Sequence, residues 1–254
     1  MAHERPLAVV VLAAGQGKRI GHPLLPKVLL PLNGRALLGY VLQTVQQLSP
    51  EALYVVVGFR GEMVEQYVRE HFQEAQLVWQ QEQRGTGHAV WQTAPMLERF
   101  PGDVLVLPGD VPLVRAAVLQ QLRHAHQAHR AVVSLLSTLM PEPHGYGRIL
   151  RDAEGRLVGI VEERDATPQQ RKLREVNTGV LMAQAAWLYR LLPQLCPDNA
   201  QQEYYLTDVV ALCVQHGLPV WAELVPEWEQ FQGVNTWEEL ERLQQLAKTI
   251  ADAR

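Results

Sequence analysis

The sequence of 254 residues predicts an α/β protein with a mostly parallel sheet and a small β-rich insertion. Short β-branched apolar runs alternate with longer segments whose apolar residues recur at helical spacing, a pattern typical of alternating strands and helices. From about residue 140, short strands and a hairpin turn replace this alternation. Such alternation favours parallel strands joined by right-handed crossovers, so we expect a doubly wound sheet with an insertion near 140–180.

Strands and helices are expected to alternate regularly before residue 140. The strands are predicted at Leu7–Leu12, Leu53–Val57, Leu77–Trp79, Asp103–Leu107 and Ala131–Leu136. The first of them is a near-continuous apolar run, of the kind that is buried on both faces of a parallel sheet. The helices are predicted at Ala36–Leu48, Glu62–His71, Thr86–Leu97 and Ala116–Ala128.

The elements after residue 140 are shorter and less regular. Strands Gly145–Leu150 and Leu157–Glu162 flank a turn at 152–155 and so predict a hairpin. A further strand is predicted at Val180–Met182 and a helix at Leu206–Gln215. The last helix, Glu238–Ala251, is amphipathic, with an apolar stripe of Leu240, Leu243, Leu246 and Ile250. Because no linker or repeat interrupts the chain, we expect one domain over residues 1–254.

The composition, 47% hydrophobic and 20% charged, excludes a disordered chain, a coiled coil and a collagen-like repeat. The longest apolar run, Leu7–Ala14, has eight residues, well short of the ~20 of a membrane helix. It leads into a glycine-rich loop rather than a cleavage site, which argues against a signal peptide. We therefore expect a cytosolic protein without a membrane partner.

The charges and the metal-ligating residue types set further limits. The 23 basic and 27 acidic residues give a net charge of −4, which argues against a nucleic-acid partner but allows a local basic site. Cys196 and Cys213 show no metal or redox spacing and are expected to be reduced core thiols. The spacing of His124, His126 and His129 gives a poor ligand face, so we expect them on a solvated helix surface.

A loop rich in glycine and basic residues follows the first strand. The run Gly15–Arg19 would let the backbone approach a ligand and present its N–H groups to phosphate. A dinucleotide fingerprint would need a third glycine where Ile20 stands, and no Walker A pattern fits. Lys18, Arg19 and Lys27 make the segment unusually basic. It is interpreted as a phosphate loop, with a turn of solvated charges as the alternative.

Further polar segments are expected where strands of such a sheet end, because open α/β sheets bind ligands there. The polar turn Gln80–His88 suits reading the edge of a base. Asp110 follows the fourth predicted strand and, as a hard oxygen ligand, would suit Mg²⁺; the alternative is a helix cap. Asn177–Gly179 and Gly233–Asn235 place amide side chains beside glycines, a pattern that by itself is found more often in turns.

Taken together, nine motifs closely resemble those of a known family. In chain order they are LAAGQGKR, LPKVL, QQEQRGTGHA, GDVPL, GYGRI, GIVEERDA, NTGV, EYYLTD and GVN. This ordered set, which covers residues 7 to about 240, resembles the uridyltransferase domain of the bifunctional N-acetylglucosamine-1-phosphate uridyltransferase/glucosamine-1-phosphate acetyltransferase family. The resemblance implies a Rossmann-like nucleotidyltransferase fold. It also implies that UTP and N-acetylglucosamine 1-phosphate give UDP-N-acetylglucosamine and pyrophosphate, for cell-wall and lipopolysaccharide precursors.

The resemblance also implies roles for individual residues. Residues implied to line the nucleotide and read its uracil are Leu12, Ala13, Ala14, Gly15, Lys27, Gln80, Gly85 and Thr86. Catalytic roles are implied for Arg19, Lys27 and Asp110, the first two acting on the phosphates. Asp110 and Asn235 are implied to hold Mg²⁺. Residues implied to bind or lie beside the sugar are Gly109, Gly147, Glu162, Asn177, Tyr204 and Thr207.

On this basis residues 5–140 are expected to form a nucleotide-binding part, 141–236 a sugar-binding part and 237–254 a C-terminal helix. The reaction joins two polyanions, so positioning and charge neutralisation matter more than acid–base chemistry.

Two alternative functions stay open: a nucleotidyltransferase for another sugar phosphate, and a non-catalytic UDP-sugar-binding module. GYGRI and NTGV favour N-acetylglucosamine, and the presence of Lys27, Asp110 and Asn235 favours an enzyme. The oligomeric state stays open.

The chain departs from the family's usual pattern in a few positions and in length. Lys18 replaces a threonine beside the triphosphate, Ile20 replaces a methionine, and Pro108 replaces the tyrosine before Gly109 and Asp110. Pro108 removes a backbone N–H and stiffens that turn. The sequence also contains no hexapeptide repeats, so the acetyltransferase half of the bifunctional family is expected to be absent.

Overall fold

The computed structural model describes the backbone of residues 5–252 and the side chains of residues 5–248. The strands are β1 (Leu7–Ala13), β2 (Pro31–Leu32), β3 (Arg35–Ala36), β4 (Ala52–Val57), β5 (Gln76–Trp79), β6 (Asp103–Pro108), β7 (Val133–Leu139), β8 (Arg148–Arg151), β9 (Leu157–Val161), β10 (Glu175–Gln184) and β11 (Val220–Leu224). The helices are α1 (Leu37–Gln46), α2 (Gly61–His71), α3 (Thr86–Trp91), α4 (Ala94–Leu97), α5 (Ala116–Ala128), α6 (Ala185–Leu191), α7 (Asp208–Gln215) and α8 (Trp237–Asp252). None of the helices within residues 5–252 combines the length and the hydrophobicity that a bilayer-spanning helix needs.

The main sheet is mostly parallel, as the sequence predicted. Its strand order is β11-β7-β10-β6-β1-β4-β5, and β8 and β9 form a hairpin beside β10. Strand β1 pairs in parallel with β4 and β6, whereas β10 runs antiparallel between β6 and β7. The carboxyl ends of β1, β4, β5 and β6 therefore meet at one edge of the sheet, and the candidate site is built there.

Two hydrophobic clusters cover the two faces of this sheet. Alternate residues of β1 belong to different clusters, Ala8 and Val10 to one and Val9 and Val11 to the other. All four are fully buried, which explains why the strand reads as a continuous apolar run. The prediction of a doubly covered α/β sheet is confirmed.

A third cluster joins the C-terminal helix to the segments around the phosphate loop. Leu240 and Leu243 of α8 are buried with Ile20 and Val234, and Leu246 packs against them. The side chain of Ile250, the fourth residue of the predicted stripe, lies outside the described residues. Helix α8 thus supports both Arg19 and Asn235, which are chain neighbours of Ile20 and Val234.

Two elements differ from prediction, one in continuity and one in length. The helix predicted at Thr86–Leu97 is two helices, α3 and α4, because Pro95 lacks an N–H and its ring clashes with the carbonyl four residues earlier, at Trp91. The strand predicted at Val180–Met182 extends over all of β10. It is interrupted by an irregularity between Asn177 and Leu181, where Gly179 has a φ of 82°.

Other boundaries shift where buried polar residues resembled loop residues. Strand β7 runs to Leu139 instead of Leu136, because Ser137 and Thr138 are buried and their hydroxyls donate to Glu175 and to the Val225 carbonyl. Residues 145–147, predicted as strand, form a loop before β8. The short hairpin β2–β3, helix α6 and edge strand β11 were missing from the sequence prediction.

Two predictions about individual side chains are wrong. His126 is buried rather than solvated: Ser134 Oγ lies 2.9 Å from its Nδ1, and Asp103 Oδ1 lies 3.5 Å from its Nε2. It lies on the inner face of α5, above the sheet, whereas His124 and His129 are exposed as predicted. Cys213 is a core thiol, but Cys196 is exposed because it follows the last turn after α6.

Candidate active site

The phosphate loop leaves the sheet at the end of β1 and turns sharply at Gly17. Gly17 has a φ of 59°, and a Cβ added there would lie 2.9 Å from the Lys27 Cβ. The glycine thus allows the Lys27 stem to lie against the loop. Leu12 and Ala13 end β1, the Ala14 carbonyl accepts the Phe59 N–H at 3.2 Å, and the space beside Gly15 is open to 4 Å.

Four side chains from separate segments converge beside this loop. Lys27 Nζ donates to Asp110 Oδ2 and, at 3.3 Å, to Asn235 Oδ1. Arg19 Nη2 donates to the same Asn235 oxygen at 2.9 Å. Asp110 follows β6 and Asn235 precedes α8, so residues more than 200 positions apart in the chain meet here. The sequence analysis predicted all four as site residues, and the structure brings them together.

The oxygen atoms of this cluster fit a divalent cation such as Mg²⁺. A carboxylate and an amide oxygen are hard ligands, and the Lys27 ammonium already bridges them, so the position favours positive charge. Gly233 lies beside this carboxylate, since a Cβ added there would be 3.5 Å from Asp110 Oδ2, and 14% of the Asp110 side chain is exposed. Over the described residues, no three or more His, Cys, Asp or Glu side chains are arranged so that they could hold a metal ion by themselves.

Asn235 is fixed in place by the first turn of α8. Thr236 Oγ1 accepts the Glu239 N–H at 3.2 Å, and Glu239 Oε2 accepts the Thr236 N–H at 3.1 Å, which is a capping box. Glu239 Oε2 also accepts the Asn235 N–H. The sequence analysis did not single out Glu239, although Thr-x-x-Glu before an apolar stripe is the signature of this cap.

The segment after β5, which the sequence analysis predicted to read the base, folds into a turn with well-defined contacts. Gln80 is buried, and its Nε2 donates to the Gly85 carbonyl at 3.1 Å and lies 3.0 Å from His88 Nδ1. Gly85 has a φ of 105°, and a Cβ there would come within 2.6 Å of the Tyr204 carbonyl oxygen. Thr86 Oγ1 accepts the Leu206 N–H at 2.9 Å. This turn is therefore held tightly against residues 204–206.

Tyr204 and Thr207, both predicted to lie near the sugar, occupy different surroundings. The Tyr204 N–H donates to the Arg84 carbonyl at 2.8 Å, and the Arg84 guanidinium lies 5.6 Å from its ring, so Tyr204 lies on the base-reading side. Thr207 Oγ1 instead donates to Glu162 Oε1 at 3.0 Å. The segment 203–208 thus spans from the base-reading turn to the predicted sugar residues.

The remaining predicted sugar residues cluster around Glu162, which follows β9. A Cβ added to Gly147 would lie 3.2 Å from both Glu162 carboxylate oxygens, and the Gly147 carbonyl accepts the Asn177 N–H at 2.9 Å. Burial raises the pKa of the Glu162 carboxyl; Thr207 opposes this, and the nearby Asp208 adds to it. The structure therefore brings Gly147, Glu162, Asn177 and Thr207 together.

Gly109 and Pro108 connect this region to the Asp110 cluster. The Gly109 N–H donates to the Leu12 carbonyl at 2.9 Å, and a Cβ on Gly109 would lie 3.0 Å from that oxygen. A Cβ on Gly179 would lie 2.8 Å from Pro108 Cγ. The pairing of β6 with β10 ends at Val106. Residue 108 therefore does not need to donate an N–H to β10, and the sheet tolerates a proline at this position.

The chain belongs to the family of MobA-like NTP transferase domains, whose model matches residues 9–175. More particularly, it is 47% identical over 244 residues to the "Bifunctional protein GlmU" of Dechloromonas aromatica, covering 94% of this chain and 52% of that protein. It is 44% identical over 247 residues to the protein of the same name from Paraburkholderia phytofirmans, covering 96% of this chain and 53% of that one. The resemblance found from the motifs is confirmed. The chain spans about half the length of these relatives.

A solved structure confirms the fold independently of close sequence similarity. The crystal structure of UDP-glucose pyrophosphorylase complexed with UDP-glucose superimposes with a TM-score of 0.77 at 18% identity. The match covers 96% of this chain and 99% of the other. The predicted Rossmann-like transferase fold is thereby confirmed.

Proposed function

We propose that this chain transfers a uridylyl group from UTP to N-acetylglucosamine 1-phosphate, releasing pyrophosphate and forming UDP-N-acetylglucosamine. In this reaction an oxygen of the sugar phosphate bonds to the α-phosphorus, and the bond from that phosphorus to the pyrophosphate oxygen breaks. The observation that carries the proposal is the convergence of Arg19, Lys27, Asp110 and Asn235 at the carboxyl edge of the sheet. The 47% identity to a bifunctional GlmU protein supports the choice of substrates.

In the proposed complex the phosphate end of the site neutralises charge. Arg19 and Lys27 would move from Asn235 and Asp110 to the phosphates of the nucleotide, and Lys18 would add charge beside the triphosphate. Asp110 and Asn235 would hold Mg²⁺, which supplies positive charge to the phosphates when it is bound. Fixed cations at the point where charge develops stabilise the transition state without costly reorganisation.

The uracil and the sugar would be recognised by separate groups of residues on the two sides of the phosphate end. Gln80, Gly85 and Thr86 would read the uracil, with Leu12–Gly15 lining the nucleotide and Tyr204 beside the base-reading turn. The sugar would lie near Gly109, Gly147, Glu162, Asn177 and Thr207. The segment 203–208 contacts both groups of residues, so it would keep the two substrates in a fixed relation.

A panel of nucleotides and sugar phosphates, with pyrophosphate detection, tests the proposal. We expect release with UTP and N-acetylglucosamine 1-phosphate in the presence of Mg²⁺, and much slower release with glucose 1-phosphate or with TTP. Faster release with another pair would identify a different nucleotidyltransferase. If no pair releases pyrophosphate while UDP-N-acetylglucosamine binds, the chain is a binding module.

A further inference from the structure

The loop of residues 145–147 touches both ends of the candidate site. A Cβ added to Gly145 would lie 3.8 Å from Arg19 Nη1, on the phosphate side. At the other end of the loop, a Cβ added to Gly147 would lie 3.2 Å from both Glu162 carboxylate oxygens, and the Gly147 carbonyl accepts the Asn177 N–H. Three consecutive residues therefore join the phosphate side to the sugar side, and a displacement of this loop would alter the distance between the two substrates.

Arg148, which directly follows this loop, holds it from inside the protein. Its side chain is among the largest that are fully buried, with 1% of the residue exposed. Nη1 donates to the Tyr146 carbonyl oxygen, and Nη2 donates to Glu163 Oε2 at 2.7 Å and to the Arg171 carbonyl at 3.3 Å. A buried guanidinium requires a compensating acid, which Glu163 supplies.

Glu163 holds the other side of the loop. Its Oε2 accepts the Gly145 N–H at 3.3 Å, and His144 Nδ1 lies 3.4 Å from Oε1. Burial raises the pKa of Glu163, but the hydrogen bond and charge of Arg148 outweigh it, so this pKa lies below its ordinary value. Glu163 therefore remains a carboxylate at neutral pH. Together, Arg148 and Glu163 hold the loop through two backbone groups, the carbonyl of Tyr146 and the N–H of Gly145.

We propose that Arg148 and Glu163 are positioning residues that hold the 145–147 loop so that the sugar phosphate faces the α-phosphorus of the nucleotide. This inference rests on the proposed function. The pair acts through the backbone of residues 145–147, by fixing the distance between the reacting atoms. Such fixing matters because a displacement of about 1 Å in a near-attack geometry costs ~10²-fold in rate.

The variant Glu163→Gln tests this proposal, with Glu175→Gln as its matched control. Glu175 forms a similar pair with Arg151 of the same strand β8, accepting from Nε at 2.8 Å and from Nη2 at 2.6 Å, but away from the loop. We expect Glu163→Gln to lower kcat/KM for the sugar phosphate about tenfold, within the range for misplaced reacting groups, while the KM for UTP changes less than about twofold. Glu175→Gln should leave both values unchanged.

A purely structural role would give a different result. If Glu163→Gln lowered kcat only in proportion to the fraction of folded protein, so that kcat per folded molecule equalled that of wild type, the proposal would be overturned. Equal kinetics for the two variants and wild type would overturn it as well. The variant Arg148→Lys keeps the charge but loses the fork that reaches Tyr146 and Glu163 together, so it should resemble Glu163→Gln.

Amide hydrogen exchange provides a readout that is independent of activity. Gly145 donates its N–H to Glu163, so we expect its exchange to be at least several-fold faster in Glu163→Gln and unchanged in Glu175→Gln. A wild-type chain that releases no pyrophosphate would contradict the proposed function. Exchange at Gly145 would then still decide whether Glu163 holds the loop, and unchanged exchange would overturn that role.

Discussion

At the proposed phosphate end of the site, formed by Arg19, Lys27, Asp110 and Asn235, charged side chains from distant segments contact one another directly. At the proposed sugar end, around Glu162, a buried carboxyl lies among backbone, hydroxyl and further carboxyl groups. Lys27 and Arg19 contact Asp110 and Asn235 through their terminal nitrogens. Glu162, by contrast, accepts a hydrogen bond from Thr207, and burial together with the negative charges of Asp208 and Asp165 raises its pKa. Cations are concentrated at one end and carboxyl groups at the other.

This difference matches the two tasks of the proposed reaction. The phosphates bring several negative charges, so their end needs cations on flexible stems that can exchange acidic partners for phosphate. A sugar is uncharged apart from its phosphate, and fixed glycines and hydroxyls can match its polar groups with little loss of side-chain entropy. Substitutions at the phosphate end should therefore affect turnover most, and those at the sugar end should affect binding and pH dependence.

The largest effect is expected for Asp110→Asn, which removes the acidic oxygen at the phosphate end. Turnover should fall by at least ~10²-fold, the scale for losing one electrostatic stabiliser, because Mg²⁺ would lose its charged ligand. Pyrophosphate release under saturating substrates measures it. Asp152→Asn, in the exposed hairpin turn, is the control and should retain full turnover. An Asp110→Asn turnover within threefold of wild type would contradict the assignment.

The sequence analysis named Lys27, Asp110 and Asn235 as site residues because each lies in a short motif of the family that the chain resembles, and the structure brings the three side chains together. Of these residues, Asp110 could also be placed without the resemblance, because it follows a predicted strand and parallel strands bring their carboxyl ends to one edge of the sheet. The bonds among them were not predictable, because they join segments more than 80 or 200 residues apart. Such distances are set by how helices pack on the sheet.

The parts that sequence analysis missed depend on burial that no local pattern reveals. His126 belongs to a polar helix face by composition, yet it is buried against Asp103 and Ser134. Arg148 lies in the motif GYGRI, but its burial can be recognised only when the fold shows that Glu163 lies beside it. Strand β11 was missed because it is a short edge strand of five residues. So few residues give only a weak alternation of apolar and polar side chains.

The second effect concerns Lys27, whose ammonium bridges the two oxygens proposed to hold Mg²⁺. Lys27→Ala should lower turnover about tenfold or more, because a phosphate-binding cation is lost. Without nucleotide it should raise the affinity for Mn²⁺, since no internal cation then competes for Asp110. Electron paramagnetic resonance of free Mn²⁺ measures the affinity. Lys172→Ala, at an exposed position, should change neither quantity, and weaker Mn²⁺ binding by Lys27→Ala would contradict the bridging role.

The third effect distinguishes two carboxyl groups of residues 141–236, the part predicted to bind the sugar, by the sign of the change in stability with pH. Burial raises the pKa of Glu162 above 4.5, so the folded state holds its proton longer than the unfolded state does. From about pH 4.5 upward this residue therefore lowers the free energy of unfolding as pH rises. Glu162→Gln should remove that loss. Urea unfolding of wild type and Glu162→Gln, measured from about pH 4.5 upward, tests this prediction.

Glu175 supplies the opposite case. Burial raises its pKa, but Arg151 and Ser137 outweigh burial and hold it below 4.5. Its ion pair therefore stabilises the fold above the unfolded pKa and is lost as pH falls through the lower folded pKa. Glu175→Gln should lose stability at neutral pH, whereas Glu162→Gln should gain relative to wild type as pH rises. Parallel profiles for the two variants would contradict this contrast.

The smallest effect is expected where the two ends of the site meet, at Pro108 and Gly179. Pro108→Ala should lower the free energy of unfolding by about 0.4–1 kcal/mol, because the unfolded chain gains freedom, and should leave turnover within about threefold. Gly179→Ala should cost more, since Gly179 has a φ of 82° and its new Cβ would lie 2.8 Å from Pro108 Cγ. Part of that cost is the contact itself, so Gly179→Ala should be less destabilising in the Pro108→Ala background. Additive costs in urea unfolding would mean that φ strain alone accounts for the loss and that the contact does not couple the two ends.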